Sequence, residues 1–293
     1  RTRGITVSLF SCDRDALDDG FAQMLQSAAR QGLPPDIVLV DDEYGFSSAD
    51  IGRLETIAEA AAGFGCLVIA SLDSHDPLLS DIESRDSLAQ CFDDVRFLPY
   101  KKLRANPAAR CLALCGPHIM VGDAEPFTAR AGWRMAFAWI DAFLADRPLF
   151  ENDRNQAVAL APVSSTLEIP EAIASDAEPW GLTLFCSGAS LPVVTLLDGD
   201  AANPSYTRFG YALAVNRIVS LAVRHLAAAR ENQGGGALTE TLRSHLARQL
   251  AQAGLLSSVD EVSVEADDQG TIAVAVDSLT TVCGYPLRVR FSL

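Results

Sequence analysis

The sequence is poor in lysine and histidine, and acidic residues dominate its charge. Lysine occurs only at Lys101 and Lys102, and four isolated histidines form no HxH or HxxxH pair. The 38 Asp and Glu residues outnumber the 23 Lys and Arg residues, giving a net charge of −15. Because nucleic acids and anionic lipid surfaces attract clustered basic side chains, this composition argues against both. We expect proteins or cations as partners, and no nucleic acid.

Long apolar runs and paired cysteines are also lacking. No stretch approaches the roughly 18 uninterrupted apolar residues of a membrane-spanning helix. The apolar run in the opening RTRGITVSLF is too short for a signal peptide. Seven cysteines, an odd number scattered through apolar runs, predict buried thiols and not a disulfide framework. We therefore expect a cytoplasmic protein without membrane insertion.

The motifs of common catalytic sites are missing as well. No glycine-rich loop is present to hold phosphates, and the serine run at 164–165 has no GxSxG elbow around it. Cys111 and Cys115 have a CxxxC spacing on an apolar strand, which favours the core over a zinc site. The sequence predicts no catalytic residue, no cofactor and no metal site.

One acidic stretch stands where chemistry is often found. VDDEYGF, residues 40–46, follows the apolar run DIVLV. Ligands of α/β enzymes bind beyond the carboxyl ends of parallel strands, and Asp41, Asp42 and Glu43 offer the oxygen ligands that Mg²⁺ prefers. A divalent-cation-dependent α/β enzyme is therefore kept as a remote alternative.

Apolar runs of strand length alternate with helical periods in the first part of the chain. Strands are predicted at 5–10, 36–40 and 66–71, with a helix after Asp15 between the first two. The second helix has caps available at Ser47, Ser48 and Asp50, and one apolar face formed by Ile51, Leu54, Ile57, Ala58 and Ala61. Continuous apolar strands indicate a sheet covered on both faces. The predicted fold class is α/β, with a mixed sheet flanked by helices.

The remainder of the chain continues this alternation and ends in a β-rich element. Strands are predicted in RCLALC, HIMV, AVALAP, LTLFCS and LPVVTLL, and helices at 129–144, near 168–177, at 206–230 and at 238–253. The helix at 129–144 should bury a stripe of Trp133, Phe137, Ile140 and Phe143 or Leu144. Three final strands are predicted near 260–266, 270–277 and 285–292. The expected domains are an α/β core at 1–231, with possible subdomains 1–126 and 127–231, a linker at 232–237, and a helix with a small sheet at 238–293.

Arginines recur along the predicted long helix. Arg217 and Arg224 are seven residues apart and share one side of the helix, and Arg208 precedes them. They are candidates for ion pairs to another subunit, although the pattern alone favours a solvated face.

Several segments, in order, resemble one protein family. The stretch VLVDDEYGFSSADIGRLETIAEAAAGFGCLVIAS is similar to a strand, acidic-aromatic motif and alanine-rich helix in the large subunit of the type VI secretion contractile sheath. RDSLAQCFDDVRFLPYKKLRANPAARCLALCGPHIMV, RAGWRMAFAWIDAF and TRFGYALAVNRIVSLAVRHL resemble later segments of that family. The resemblance runs from about residue 4 to the C-terminus and places Arg208, Tyr211 and Arg217 on family positions.

The chain also departs from that family. Its loops after HIMV and around residues 145–160 are shorter, and VSSTLEIPEA replaces a charged Thr-Asp-Arg-Arg-Glu motif. The family has a long N-terminal arm, whereas little precedes ITVSLF here. The chain also begins at Arg1 and not at methionine, so preceding coding sequence is one of the open alternatives.

The resemblance implies a mechanical function. A sheath subunit assembles by exchanging strands with its neighbours, so the implied partners are a sheath small subunit, copies of this chain, and tube or baseplate proteins. In such a protein Asp41 to Glu43 would be capping or interface groups at a strand-to-helix junction. The alternative is a sheath-fold adaptor or regulatory protein that does not polymerise.

The last strand is the candidate for this exchange. Apolar residues alternate with polar ones in it, which is typical of a half-buried strand, and the interface candidates here are Leu287, Arg288, Val289, Arg290 and Phe291. An internal hairpin strand that only completes the core remains the other interpretation. The further interface candidates are Arg208, Tyr211, Arg217 and Arg224.

Overall fold

A computed structural model describes most of the first two thirds of the chain and parts of the remainder. The described residues are 17–30, 35–83, 87–121, 127–144, 164–186, 212, 216, 235–252, 261–266, 271–276 and 287–292. Those up to Ala212 belong to one compact unit, and those from Asn216 onward belong to a second. The domain boundary expected at residue 231 lies outside the described residues and stays a prediction.

The first unit contains seven described helices and seven described strands. The helices are α1 (Leu17–Arg30), α2 (Ser48–Phe64), α3 (Pro77–Glu83), α4 (Leu88–Phe92), α5 (Leu98–Ala105), α6 (Ala131–Leu144) and α7 (Glu171–Ser175). The strands are β1 (Ile37–Tyr44), β2 (Leu67–Leu72), β3 (Leu112–Gly116), β4 (Ile119–Val121), β5 (Phe127–Ala129), β6 (Ser164–Ser165) and β7 (Leu182–Leu184).

A parallel sheet forms the centre of the first unit. Its order is β1-β2-β3-β7, and all three pairings are parallel. Every residue of β2 and β3 is buried, because helices cover both faces of a sheet joined by crossover connections. A second, antiparallel sheet has the order β5-β4-β6. The predicted α/β class is confirmed, although the sheet flanked by helices is parallel and the antiparallel strands form a separate sheet.

The first βαβ unit follows the sequence prediction closely. The Ser47 side chain accepts a hydrogen bond from the Asp50 backbone N–H, and Gly65 ends α2 with a positive φ of 67°. The buried residues of α2 are Ile51, Leu54, Ile57, Ala58 and Ala61, the apolar face read from the sequence. Helix α1 packs against α2, burying Phe21, Leu25 and Ala28.

The strand predicted at 36–40 is longer than expected and includes the acidic stretch. β1 continues through Asp41, Asp42 and Glu43, and it pairs with β2 again at Glu43 and Tyr44. The register shifts between Leu39 and Glu43, so β1 contains an irregularity of the β-bulge kind where the acidic residues begin. Aspartate is unfavourable in strands, and here the pairing with β2 and the side-chain contacts described below outweigh that preference. Asp41 to Glu43 are therefore not helix caps.

Helix α6 packs on β1, β2 and β3 through a glycine. The Gly132 N–H donates to the Ser71 Oγ at 3.0 Å, and the buried residues of this face include Ala131, Gly132 and Met135. The predicted stripe is wrong in its first members, since Phe137 is 51% exposed and Trp133 is half-buried. Small residues replace aromatic ones on the buried face because the helix approaches the sheet closely. Ile140 is half-buried, and the side chains of Phe143 and Leu144 are outside the described set.

An aromatic cluster joins the end of β1 to segments far along the chain. The Phe46 ring lies 4.9 Å from Phe97 and 5.4 Å from Tyr100, and Phe92 stacks on Trp180 at 4.3 Å. The Tyr100 hydroxyl donates to the Trp180 carbonyl at 2.7 Å. Aromatic pairs of this kind contribute roughly 0.5–1.5 kcal/mol each beyond the burial of their surface.

The described cysteines behave as small apolar residues. Cys66, Cys91, Cys111 and Cys115 are buried, and none of the described cysteines forms a disulfide. Burial raises the pKa of Cys66 and of Cys111 to about 12, so both thiols stay protonated at neutral pH. The prediction of buried thiols is confirmed for these positions, and Cys111 with Cys115 lies in the core as expected.

The second unit contains a helix and a small sheet. Helix α8 (Gly235–Gln252) packs on β8 (Val262–Ala266), which pairs with β9 (Thr271–Val276), and β9 pairs with β10 (Leu287–Ser292). Both pairings are antiparallel. The three final strands were predicted, but the helix begins at Gly235 and so includes half of the predicted linker. Helix starts are poorly fixed by sequence when no Ser, Thr, Asp or Asn cap precedes them.

Several predicted elements lie outside the described residues. These are the strands at 5–10 and 157–162, the hairpin in LPVVTLL, and most of the helix at 206–230, of which Ala212 and Asn216 are described as helical.

The contact at Gly132 generates a first prediction. A Cβ added there would lie 2.8 Å from the Ser71 Oγ and 3.4 Å from both Ile69 and Leu39. Because these atoms belong to a packed sheet, Gly132→Ala should lower the free energy of unfolding by about 1–3 kcal/mol, measured by urea denaturation.

Gly52→Ala is the matched control. Gly52 lies inside α2, and a Cβ there meets nothing within 4 Å. The better helix propensity of alanine should leave stability unchanged or raise it by up to about 1 kcal/mol. Equal losses in the two variants would contradict the close packing of α6 on the sheet.

Candidate functional site

Three separate segments meet at the carboxyl end of β1. Glu43 and Asp41 come from β1, His118 lies between β3 and β4, and Arg130 lies between β5 and α6. With Trp133 from the first turn of α6, these five residues are called the β1-end cluster. Sequence reasoning found the two carboxylates but missed their partners, which are 75 to 92 residues away along the chain.

Arg130 connects the two carboxylates. Its Nε donates to the Glu43 Oε1 at 2.8 Å, and its Nη1 donates to the Asp41 carbonyl at 2.9 Å. The same Nη1 also bonds to the Asp41 carboxylate. The Trp133 Nε1 donates to the Asp41 Oδ1 at 2.7 Å. One guanidinium therefore fastens the β5–α6 junction to the end of β1.

The backbone of His118 is held from both sides. Its N–H donates to the Ser74 Oγ at 2.7 Å, and its carbonyl accepts from the Thr166 N–H at 2.8 Å and the Thr166 Oγ1 at 3.0 Å. The residue is 7% exposed. Its Nε2 lies 3.4 Å from the Glu43 Oε1 and has no hydrogen-bond partner among the described residues.

These contacts shift three pKa values. The hydrogen bond from Trp133 is the largest cause that lowers the pKa of Asp41, and Arg130 acts in the same direction against partial burial. The hydrogen bond to Glu43 raises the pKa of Arg130. Burial lowers the pKa of His118 and outweighs the opposite effect of the Glu43 charge. In this geometry the histidine is neutral at pH 7 and the carboxylate of Asp41 is charged.

The charge balance of the cluster disfavours a divalent cation. Both acidic residues of the cluster, Asp41 and Glu43, already bind the Arg130 guanidinium, which would repel a metal ion placed between them. The described residues contain no group of three His, Cys, Asp or Glu side chains with metal-binding geometry. The cluster is arranged to join segments of backbone.

Two other carboxylates shape the chain just after β1. The Phe46 N–H donates to the Asp76 Oδ2 at 2.9 Å, and the Leu78 N–H donates to the Asp76 Oδ1 at 2.7 Å. Asp50 accepts from the Ser47 hydroxyl at 2.8 Å. Asp76 thus ties the β1–α2 junction to the start of α3, a role that no local pattern in the sequence indicated.

The outer edge of the C-terminal sheet is the second feature with functional potential. The sheet order is β10-β9-β8, so β10 has a partner on one side only among the described strands. Leu287, Val289 and Phe291 lie opposite Val276, Val274 and Ile272, which are buried. Arg288 and Arg290 lie opposite Ala275 and Ala273.

The remaining interface candidates from the sequence are Arg208, Tyr211, Arg217 and Arg224, and all four lie outside the described residues. Their roles stay predictions. Within the described part of the chain, no helix is both long and apolar enough to cross a membrane.

Comparison with known proteins identifies the fold but not a family. No protein-family model matches the sequence, and no curated protein matches it. The chain is similar to a chain in the cryo-EM structure of the anti-feeding prophage baseplate, with 10% identity, a TM-score of 0.55, and coverage of 97% of this chain and 70% of that one. This similarity shows a shared mixed α/β fold.

A chain in the contracted helical sheath of the anti-feeding prophage is a weaker match. It is 10% identical, the TM-score is 0.46, and the match covers 97% of this chain and 72% of that one.

The Arg130 contacts generate a second prediction. Arg130→Met keeps the length of the side chain but removes the guanidinium, so stability at pH 7 should fall by about 1–2 kcal/mol, a modest value because the pairs are partly exposed. Because the pKa of Asp41 is lowered in the folded state, the charged carboxylate stabilises the fold at pH values above 3.8, the ordinary pKa of this group. That contribution disappears as the pH falls through the folded pKa, so the difference between variant and wild type should shrink in acid.

Arg53→Met provides the control. The Arg53 Nη1 lies 3.7 Å from the Asp50 Oδ1 in an i, i+3 pair on α2. Half-buried pairs at this distance on a helix surface contribute about 0–1 kcal/mol. Urea unfolding of all three proteins at pH 7 and pH 3 compares the effects. A loss in Arg130→Met that is no larger than in Arg53→Met would contradict the connecting role of Arg130.

Proposed function

We propose that this chain is a structural subunit of a contractile injection system and that it associates through the β10 edge of its C-terminal sheet. The observation that carries the proposal is this edge, at the end of a chain whose fold matches a chain in the anti-feeding prophage baseplate over 97% of its residues. The more specific form of the proposal is a sheath subunit of the type VI secretion kind.

The β10 edge has the properties of a surface that accepts a strand. An edge strand presents unpaired backbone N–H and C=O groups, and an added strand bonds to them without any change in the sheet. β10 spans six residues, enough for several main-chain bonds. Arg288 and Arg290 would discourage indiscriminate pairing and would favour an incoming strand with acidic side chains.

Such contacts explain assembly without catalysis. When one surface of a subunit binds a different surface of the next, repeated contacts produce rings or helical filaments. The partners that fit are a sheath small subunit, further copies of this chain, and tube or baseplate proteins. In this proposal the protein is not an enzyme. The binding of the Asp41 and Glu43 carboxylates by Arg130 supports this, because neither is then available as a ligand or a base.

A non-polymerising adaptor with the same fold is the second candidate. The matched structure is a baseplate with 6-fold symmetry applied, and closed symmetry gives each subunit a fixed number of neighbours. An adaptor would bind one partner through β10 and stop, whereas a sheath subunit would continue into a filament.

The third prediction separates these candidates. The protein co-expressed with the products of its neighbouring genes should form rings or helical filaments in negative-stain electron microscopy. Removal of residues 285–293 should abolish assembly while circular dichroism and a cooperative thermal transition persist. Discrete complexes of fixed size would favour the adaptor, and filaments formed by the truncated chain would refute the role of β10.

Charge reversal tests the same edge without a deletion. The double change Arg288→Glu and Arg290→Glu should lower assembly at least tenfold, because an acidic partner strand would then be repelled. The matched control is Arg30→Glu with Arg248→Glu, at two exposed arginines on α1 and α8, which changes the net charge equally and leaves β10 intact. Equal loss in both double variants would indicate a non-specific effect of charge.

The fourth prediction concerns the remote alternative of a cation-dependent enzyme. Mg²⁺, Mn²⁺, Ca²⁺ or Zn²⁺ at micromolar concentration should leave the melting temperature unchanged, because no specific site is expected to bind them. A rise of several degrees that Asp42→Asn removes would support the enzyme and overturn the proposal.

A further inference from the structure

One oxygen atom of Glu43 faces two basic side chains. The Glu43 Oε1 accepts a hydrogen bond from the Arg130 Nε at 2.8 Å, and the His118 Nε2 lies 3.4 Å from the same oxygen. Only the first contact is a hydrogen bond in this structure, since the His118 Nε2 has none among the described residues. The two basic groups are therefore placed to compete for one acceptor.

The position of His118 is set by its backbone and not by its ring. Ser74 holds its N–H, and Thr166 holds its carbonyl through two hydrogen bonds. Because β3 precedes His118 and β4 follows it directly, the ring cannot move far from Glu43. The carboxylate of Glu43 is the more mobile partner, because it can rotate about its own side-chain bonds.

The number of positive charges near Glu43 depends on whether the His118 ring is protonated. With the ring neutral, the cation that contacts the carboxylates of both Asp41 and Glu43 is Arg130. Asp73 and His75 are the other titratable groups that act on His118, and the His75 side chain is at the surface. An imidazolium would add a buried cation beside the half-buried Arg130, and the imidazolium would then need a carboxylate of its own.

We propose that Glu43 is a proton-dependent switch, in which protonation of His118 moves the Glu43 carboxylate from Arg130 to the imidazolium and loosens the β5–α6 junction from the end of β1. The movement is small. The Glu43 carboxylate rotates out of line with the Arg130 Nε, and its Oε1 approaches the His118 Nε2 from 3.4 Å to the roughly 2.7–2.9 Å of a charge-assisted hydrogen bond. Arg130 then keeps Asp41 alone.

The free-energy cost of a buried charge on His118 determines the pH at which the switch operates. Burial, with the charges of Arg130 and His75, lowers the pKa of His118, and Glu43 and Asp73 oppose this only in part. The transition is therefore expected below the ordinary value of 6.5. Since the folded state binds the proton less readily than the unfolded state, stability that is complete above 6.5 falls as the pH is lowered towards the folded pKa.

The fifth prediction tests this switch by NMR on the whole chain. Trp133 is the reporter, because its Nε1–H bonds to Asp41, which Arg130 also binds. On titration from pH 8 to pH 4.5, the Trp133 indole N–H resonance, assigned with Trp133→Phe, should shift in one step with the same midpoint as the His118 ring. Amide exchange at Gly132 should accelerate several-fold below that midpoint.

Three variants isolate the mechanism. The Trp133 step should be lost in His118→Gln and in Glu43→Gln, and it should persist in His75→Gln, the exposed neighbour. A Trp133 resonance that stays fixed while His118 titrates in the wild-type chain would overturn the proposal, and so would a step that survives in His118→Gln. If His118 remains neutral until the protein unfolds in acid, the switch is also refuted.

Discussion

The counter-charge that Arg130 supplies to the end of β1 is the interaction on which the rest of the first unit depends. A strand that carries Asp41, Asp42 and Glu43 in succession would repel itself and would leave charged groups beside a buried sheet. Arg130 resolves this with hydrogen bonds to two of the three residues. Because Arg130 immediately precedes α6, the same contacts fix where that helix starts on the sheet.

The polar end of β1 and the hydrophobic core are coupled through alternation along one strand. Val38, Val40 and Tyr44 are buried, whereas Asp41 is 59% exposed at its side chain. Phe46, two residues beyond Tyr44, enters the aromatic cluster, and its own N–H is bonded to Asp76. The irregularity in β1 allows the acidic side chains to reach Arg130 while Tyr44 still returns to the core. Loss of the contacts between Arg130 and the acidic residues would therefore also disturb the packing of the core.

Sequence patterns predicted the elements that depend on local periodicity. The apolar face of α2 and its cap at Ser47 were correct, because both depend on residues within one helix. The end of β1 and the buried face of α6 were predicted incorrectly. Three successive acidic residues favour the end of a strand at residue 40. The residue that compensates the charges of Asp41 and Glu43 is Arg130, 87 to 89 residues later, and no local pattern indicates it.

The buried face of α6 shows the second limit of such patterns. Aromatic residues at helical spacing normally mark the core, but Gly132 brings the helix so close to Ser71 that only small side chains fit there. Trp133 instead lies at the edge of the sheet, where its indole can reach Asp41. No property of the helix alone distinguishes these two faces.

The similarity of this fold to the chain of the anti-feeding prophage baseplate also depends on which residues a fold requires and which it allows to change. At 10% identity, a common fold requires apolar residues at corresponding positions, whereas individual partners such as Arg130 and Glu43 can change. A fold does not determine a function, so the functional argument must rest on surfaces that the fold leaves open. In the second unit, β9 buries Ile272, Val274 and Val276, and β10 pairs with β9 through its backbone. The side of β10 away from β9 has no partner among the described strands, and it is the surface on which the proposed association depends.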